Sequence, residues 1–180
     1  EFCPFSYWNI KDETKFLPLD KIEKHKILIG FSGCLKGCAK HEHSDIGLVG
    51  LRSSYFGEPQ KTARIYLGAL YTLGKATARL IFHAVPLKNL KEVLTLIIEE
   101  FEQSSYNDFE DFSENILNKL EKDFLTLWFL LKIETKNKIY LEIKDEKTQL
   151  NEKFSNSKYI NLVNENKEEA IELLTKDLWK

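Results

Sequence analysis

The sequence predicts an α+β domain, a mixed sheet covered by helices, and three observations carry that reading. Short apolar runs are bunched between residues 26 and 83. From Leu87 onward the apolar positions fall instead at helical spacing. Gly and Pro punctuate the joints between the runs, where the backbone has to turn. Strands first and helices after is the order of an α+β layer, not of alternating βαβ units.

Residues 1–16 are aromatic-rich and irregular. "LPLDKIEKHKILIGFSG" predicts a short helix leading into a buried strand at residues 26–31, and the cysteine-bearing loop follows. "DIGLVGLRS" predicts a second strand at residues 45–52, and "ARIYLGAL" a third at 63–70. Between them, "SYFGEPQKT" supplies turn chemistry through Gly57 and Pro59. "ARLIFHAVP" predicts a fourth strand at residues 79–83, closed by Pro86. In "LKNLKEVLTLIIEEFEQS" the positions Leu90, Val93, Leu94, Ile97, Ile98 and Phe101 make one apolar face, so a helix is expected over residues 87–103. A second helix is expected over 108–123, with Phe109, Phe112, Ile116, Leu117 and Leu120 on its face. The texture then changes, which divides the chain into a domain at 1–123 and a small α/β extension at 124–180. The extension is expected to hold strands at 132–135, 138–143 and 158–163 and a terminal helix at 167–178. It has no Gly, Pro, Cys or His, and no chemistry is read from it.

Composition narrows the class. A chain of 180 residues with 43% hydrophobic and 30% charged residues has enough apolar material for one core. Net charge is −2, and no block of Lys or Arg is free of interleaved Asp and Glu, which argues against a nucleic-acid surface. No apolar run reaches the roughly 18 residues of a membrane span, and no secretory pattern opens the chain. Three cysteines suit a reducing cytoplasm better than a disulfide scaffold. The chain starts at Glu1 and contains no Met, so a fragment or processed product is expected.

Chemistry concentrates in "GFSGCLKGCAKHEHSDIGLVG", which holds two of the three cysteines, two of the four histidines and five of the eight glycines. Three readings are open on the residues alone. An iron–sulfur cluster would use Cys3, Cys34, Cys38 and one further ligand, with loop amides directed at its sulfides. A zinc site would use Cys34, Cys38 and one or both of His41 and His43. A structural turn would leave the thiols merely buried.

"SGCLKGCAKHEHSDIGLVG" resembles the second cysteine motif of the siroheme-dependent nitrite and sulfite reductases, Ser-Gly-Cys-Pro-Asn-x-Cys-Gly followed by Ala-Asp-Ile-Gly-Leu-Val-Gly. "CPFSYWNIKDETK" resembles that family's first motif, Cys-Pro-Gly-x-x-x-Cys. "ARIYLGAL" is similar to its strand ending in Leu-Gly-Gly, "ARLIFHAVPLKNLKEVLTLIIEEF" to its Val-Pro-then-helix segment, and "YNDFEDFSENI" to the acidic aromatic helix that follows. The resemblance covers residues 2–119. It implies the fold of that family's 4Fe–4S domain and metal ligation by Cys3, Cys34 and Cys38. Cys38 would also bridge the cluster to siroheme, while Lys36 is read either as a cation beside a siroheme carboxylate or as a solvated loop lysine. The second ligand position falls on Asn9, a poor iron ligand. Phe5, Leu35, Lys36 and Ala39 also depart from the motifs.

The resemblance further implies six-electron reduction of sulfite to sulfide or nitrite to ammonia. An electron-donor protein of ferredoxin or flavoprotein type would supply the electrons. The anion-binding half would come from the same polypeptide or a partner chain. The alternative is a non-catalytic descendant serving electron transfer, metal binding or structure. Among single residues, His41 and His43 are expected as exposed loop histidines and His83 as a core histidine. Arg52, Arg64 and Lys40 are expected at the surface, the arginines in ion pairs. Phe5, Tyr7 and Trp8 are expected to shield a cluster or plug the core.

Overall fold

The computed structural model describes residues 3–55, 57–72, 74–139, 141 and 165–178. The chain forms two compact units, Glu1–Lys122 and Asp123–Lys180. The first is built on a four-stranded mixed sheet of β1 (Ile29–Ser32), β2 (Ile46–Tyr55), β3 (Glu58–Leu67) and β4 (Arg79–Pro86), adjacent in that order. β1 runs parallel to β2, and the two remaining pairs are antiparallel. Its helices are α1 (Ile10–Glu13), α2 (Leu19–Lys24), α3 (Leu87–Gln103) and α4 (Phe109–Asn115).

The strand boundaries differ from expectation for local reasons. β1 starts at Ile29 and not at Lys26, because α2 ends there in a Schellman arrangement. Lys26 sits at φ 54° and its N–H donates to the Glu23 carbonyl, while the Ile27 N–H donates to Ile22. β3 starts early, at Glu58, and so takes in Pro59, which was expected in the turn. Pro59 pairs with Ser54 of β2, while the pairing with β4 reaches only Thr62, so that end of β3 has a neighbour on one side alone. β3 stops at Leu67, since Gly68 takes φ 90° and its carbonyl accepts from Asn118 Nδ2 at 2.8 Å.

The register puts Ile46 and Leu48 of β2 on one face with Leu67 and Ile65 of β3, and all four are completely buried. α3 packs on β3 and β4. Each apolar position expected on its inner face is buried. Full burial of such a side chain contributes about 1.5–3 kcal/mol, so packing rather than intrinsic propensity holds α3 in place.

The helix expected over 108–123 is broken. Asp108 caps α4 by accepting from the Asp111 N–H at 2.8 Å, but regular helix ends at Asn115 and a 3-10 turn follows at Leu117–Lys119. Arg79 holds the chain beyond the break. Its Nη1 donates to the Leu120 carbonyl at 2.9 Å and its Nη2 to Leu117 at 2.5 Å, taking acceptors that a continuing helix would use.

In the second unit α5 (Lys122–Lys132) runs into a π-helical turn at Ile133–Asn137, which overturns the strand expected at 132–135. A short continuous apolar run does not distinguish strand from buried helix. Here Leu125, Trp128, Phe129 and Leu131 are buried along a helix. The terminal helix α6 (Lys167–Leu178) is where it was expected. Trp128 Nε1 donates to Thr175 Oγ1 at 3.2 Å, tying α5 to α6. The strands expected at 138–143 and 158–163 fall largely or wholly outside the described residues.

One carboxylate pins α2 to α3. Glu102 accepts from Lys21 Nζ at 2.5 Å, Lys24 Nζ at 3.0 Å and His25 Nε2 at 2.7 Å. The Lys21 bond, then those of His25 and Lys24, hold its carboxyl at about 2 against an ordinary 4.5. A depressed carboxyl stabilises the fold above its unfolded value and loses that contribution as pH falls. Because Glu102 is partly exposed, Glu102→Gln is expected to cost about 1–2 kcal/mol at pH 7. In urea denaturation the deficit should shrink as pH falls from 4.5 towards 2.

Candidate functional site

Residues 33–45 connect two parallel strands without a helix, so the loop must travel back along the sheet. It does so by successive turns. The Gly37 N–H donates to the Cys34 carbonyl at 3.4 Å, and the Lys40 N–H to Gly37 at 2.9 Å. Lys40 sits at φ 50°, and a 3-10 turn follows at His41–His43.

The return path lies flat on a pair of glycines. Gly30 and Gly47 are register partners on β1 and β2. A Cβ on Gly30 would stand 2.8 Å from the Ala39 carbonyl oxygen and from His41 Cα, and one on Gly47 would overlap the His41 carbonyl. Only residues lacking Cβ let backbone approach that closely.

His41 is therefore buried at 8% exposure, which corrects its expected place as an exposed histidine; His43 is exposed as expected. The His41 ring stands edge-on to Tyr66 with centroids 4.7 Å apart. Ser32 Oγ accepts from the Ala39 N–H at 3.1 Å and lies 3.4 Å from His41 Nδ1. Burial pushes the His41 pKa down, and Arg64 and His43 push the same way against Glu42. The ring is thus neutral at pH 7, built into the loop's support.

At the loop's exit Asp45 is buried at 3% exposure. Its Oδ2 accepts from the Leu28 N–H at 2.8 Å and from Tyr71 Oη at 3.4 Å, while Oδ1 is buried with no hydrogen-bond partner among the described residues. Burial raises its pKa to about 6, opposed by the Leu28 and Tyr71 bonds and aided by Glu110 and Asp108. Burial, with the nearby Asp45 charge, pushes Tyr71 up to about 12.

The first cysteine segment is laid directly on this loop. The Tyr7 N–H donates to the Gly33 carbonyl at 2.9 Å, and a Cβ on Gly33 would collide with the Ser6 hydroxyl. Lys36 Nζ stands 3.6 Å from the centre of the Phe5 ring, a cation–π contact. Trp8 is buried, edge-on to Phe31, with its Nε1 donating to the Leu51 carbonyl. Phe5 is 61% exposed, Tyr7 47% and Leu35 58%, so of the three aromatic residues only Trp8 plugs the core.

Cys34 is half-buried, and Cys3 and Cys38 are exposed; all three are free thiols. Lys36 is exposed over Phe5. Asn9 forms the N-cap of α1, and its Nδ2 donates to Asp12 Oδ2 at 2.5 Å. As folded, among the described residues, no three side chains of His, Cys, Asp or Glu are placed to hold one metal ion. The chain has three thiols, one fewer than a cluster held by four thiolates needs. A zinc site that used His41 would need that ring to leave its packing against Tyr66 and Ser32.

Three charged or titratable residues differ from expectation. Arg64 is half-buried, with Nε enclosed and without a hydrogen-bond partner among the described residues. Arg52 is exposed and stands opposite Lys61 across the β2–β3 ladder. Neither makes an ion pair among the described residues. His83 is exposed on β4, not in the core. Asp45 is the residue that sequence reasoning missed. An Asp before an apolar run signals only a turn, and nothing local shows that Tyr71 and the Leu28 amide will reach it.

No helix among the described residues is long and apolar enough to cross a membrane.

Two measurements probe the loop's support. Gly47→Ala is expected to lose about 2–3 kcal/mol in urea denaturation, since main chain and not a flexible side chain must yield. Asp45 has a folded pKa above its unfolded 3.8. Its stabilising contribution is complete below 3.8 and lost as pH rises through about 6. Asp45→Asn should therefore remove a decline of up to about 3 kcal/mol between those limits. Stability–pH curves that stay parallel for variant and parent would sink this account.

No family model matches the sequence and no curated protein matches it, so the likeness to the nitrite and sulfite reductases rests on the motifs quoted above.

Proposed function

We propose that this chain is the cysteine-motif portion of a siroheme-dependent nitrite/sulfite reductase-type oxidoreductase, working with an anion-binding half supplied in cis or by a partner chain. One observation carries the reading. Phe5 and Tyr7, which follow Cys3-Pro4, touch the cysteine loop through the Tyr7–Gly33 bond and the Phe5–Lys36 contact, although some thirty residues separate the two segments in sequence. Two cysteine segments meeting in space is what a shared cluster requires.

In this reading Cys3, Cys34 and Cys38 are the metal ligands, with Cys38 also facing siroheme. Lys36 and the unpaired Arg64 offer positive charge to carboxylates or to the substrate anion. Phe5, Tyr7 and Leu35 are exposed apolar side chains on the two cysteine-bearing segments. When bound, the cluster and siroheme supply one-electron storage and an iron at which sulfite or nitrite is reduced. An electron-donor protein and a cytoplasmic setting belong to the same proposal. A second reading, a non-catalytic descendant, is favoured by Asn9, whose amide is committed to Asp12.

The test is anaerobic purification with a visible spectrum and iron and acid-labile sulfide analysis. The proposal expects about four irons and four sulfides per chain with a broad band near 400 nm. Cys34→Ser and Cys38→Ser should each abolish them, and Asn9→Cys should slow iron loss in air. A well-folded, colourless, iron-free protein after reconstitution with iron and sulfide would leave the descendant standing.

A further inference from the structure

A groove of about 420 Å³ lies between the 3-10 turn Thr14–Phe16, the start of β3 and the first residues of α3. No cysteine lines it, and none of the motifs quoted above accounts for it. Its walls divide by chemistry. Phe16 and Leu87 are apolar, Phe16 half-buried and Leu87 buried. Lys15, Lys61 and Lys88 bring three ammonium groups, all on exposed residues.

The groove's one carboxylate is already engaged. Glu13 is buried, and its Oε1 accepts from Lys61 Nζ at 2.8 Å. Lys15 rests beside the Phe16 ring at 5.2 Å. Neither Lys15 nor Lys88 makes an ion pair among the described residues, so the groove carries more positive charge than its own acid neutralises. The opening turn of α3 adds to this excess: it has no acidic residue and no side-chain cap, and Lys88 lies within it.

We propose that this groove binds an amphipathic organic anion. A phosphate or carboxylate headgroup is held by Lys15, Lys61 and Lys88, and a flat apolar body lies on Phe16 and Leu87. The volume suits a small metabolite and not a macromolecule. Cations around an apolar floor favour such a ligand over a bare ion, because an inorganic anion gains nothing from Phe16 and Leu87. The inference is independent of the cluster proposal, and it holds or fails whether or not iron is bound.

The experiment titrates phenyl phosphate, phenylacetate, inorganic phosphate and benzyl alcohol into the purified chain, read by calorimetry and by backbone amide shifts. Phenyl phosphate or phenylacetate is expected to bind saturably, at least about tenfold more tightly than inorganic phosphate or the neutral alcohol. The shifts should cluster at residues 15–16, 60–61 and 87–89. Lys15→Glu and Lys88→Glu should each weaken binding about tenfold with circular dichroism unchanged, while Lys119→Glu, outside the groove, should not. Non-saturable binding overturns the proposal. So does equal affinity for inorganic phosphate, which would mark the lysines as an adventitious anion site. Shifts centred elsewhere, or affinity unchanged in both groove variants, would also overturn it.

Discussion

The approach of the His41 main chain to the Gly30–Gly47 pair is the contact on which the rest of the candidate site depends. Parallel β1 and β2 oblige the chain to return the length of a strand between Ser32 and Ile46. Such crossovers are commonly helical, whereas here residues 33–45 return as a flat series of turns. With a Cβ at either glycine the loop would ride higher on the sheet. His41 would then lose its seat on Tyr66, and Ser32 its place between the Ala39 amide and the imidazole. Cys34 and Cys38 stand where they do because the loop between them has nowhere else to go.

The same compression explains the electrostatics. A loop pressed onto a sheet carries polar side chains inward, and each must find a partner or change its charge state. His41 responds by staying neutral and Asp45 by favouring its proton. Arg64 cannot change its charge state, since a guanidinium does not give up its proton in this range. Its enclosed Nε is an unresolved cost on the sheet face near the loop. The Glu102 hub shows the opposite solution: two lysines and a histidine share one carboxylate at the edge of solvent, and that acid is held ionised.

What could be read in advance follows from the range of the forces involved. Helix α3 was legible to the residue because its apolar face repeats over 17 positions, and α6 because its boundaries lie in its own charge pattern. The mixed sheet was legible as four apolar runs. Its edges were not, because a Schellman turn at Lys26 and a left-handed Gly68 set them. The course of the chain after α4 was invisible because Arg79, which holds its carbonyls, lies far away in sequence. Likewise His41 and His83 exchanged their expected surroundings, since burial of a histidine depends on what the loop is pressed against. The cysteines could be picked out by residue type, but their placement relative to Asn9 could not.

Position 9 is where structure and resemblance pull apart, and the conflict has a local physical source. A thiolate there would have to turn towards the cysteine loop. Asn9 instead opens α1, a position at which Asn is among the favoured residues, and spends its amide on Asp12. α1 in turn carries Glu13, which is buried and paired with Lys61 at the start of β3. Asn9 thus serves the anchoring of the amino-terminal segment, and that anchoring keeps Trp8 under Gly50 and Tyr7 on Gly33. Under the proposed reading, position 9 would serve as a clamp where the resembled motif has a thiolate, and the segment after Cys3 stays on the loop through Phe5 and Tyr7. An iron site built on this frame would have one iron open to an outside ligand, and that single vacancy separates the reductase reading from the descendant.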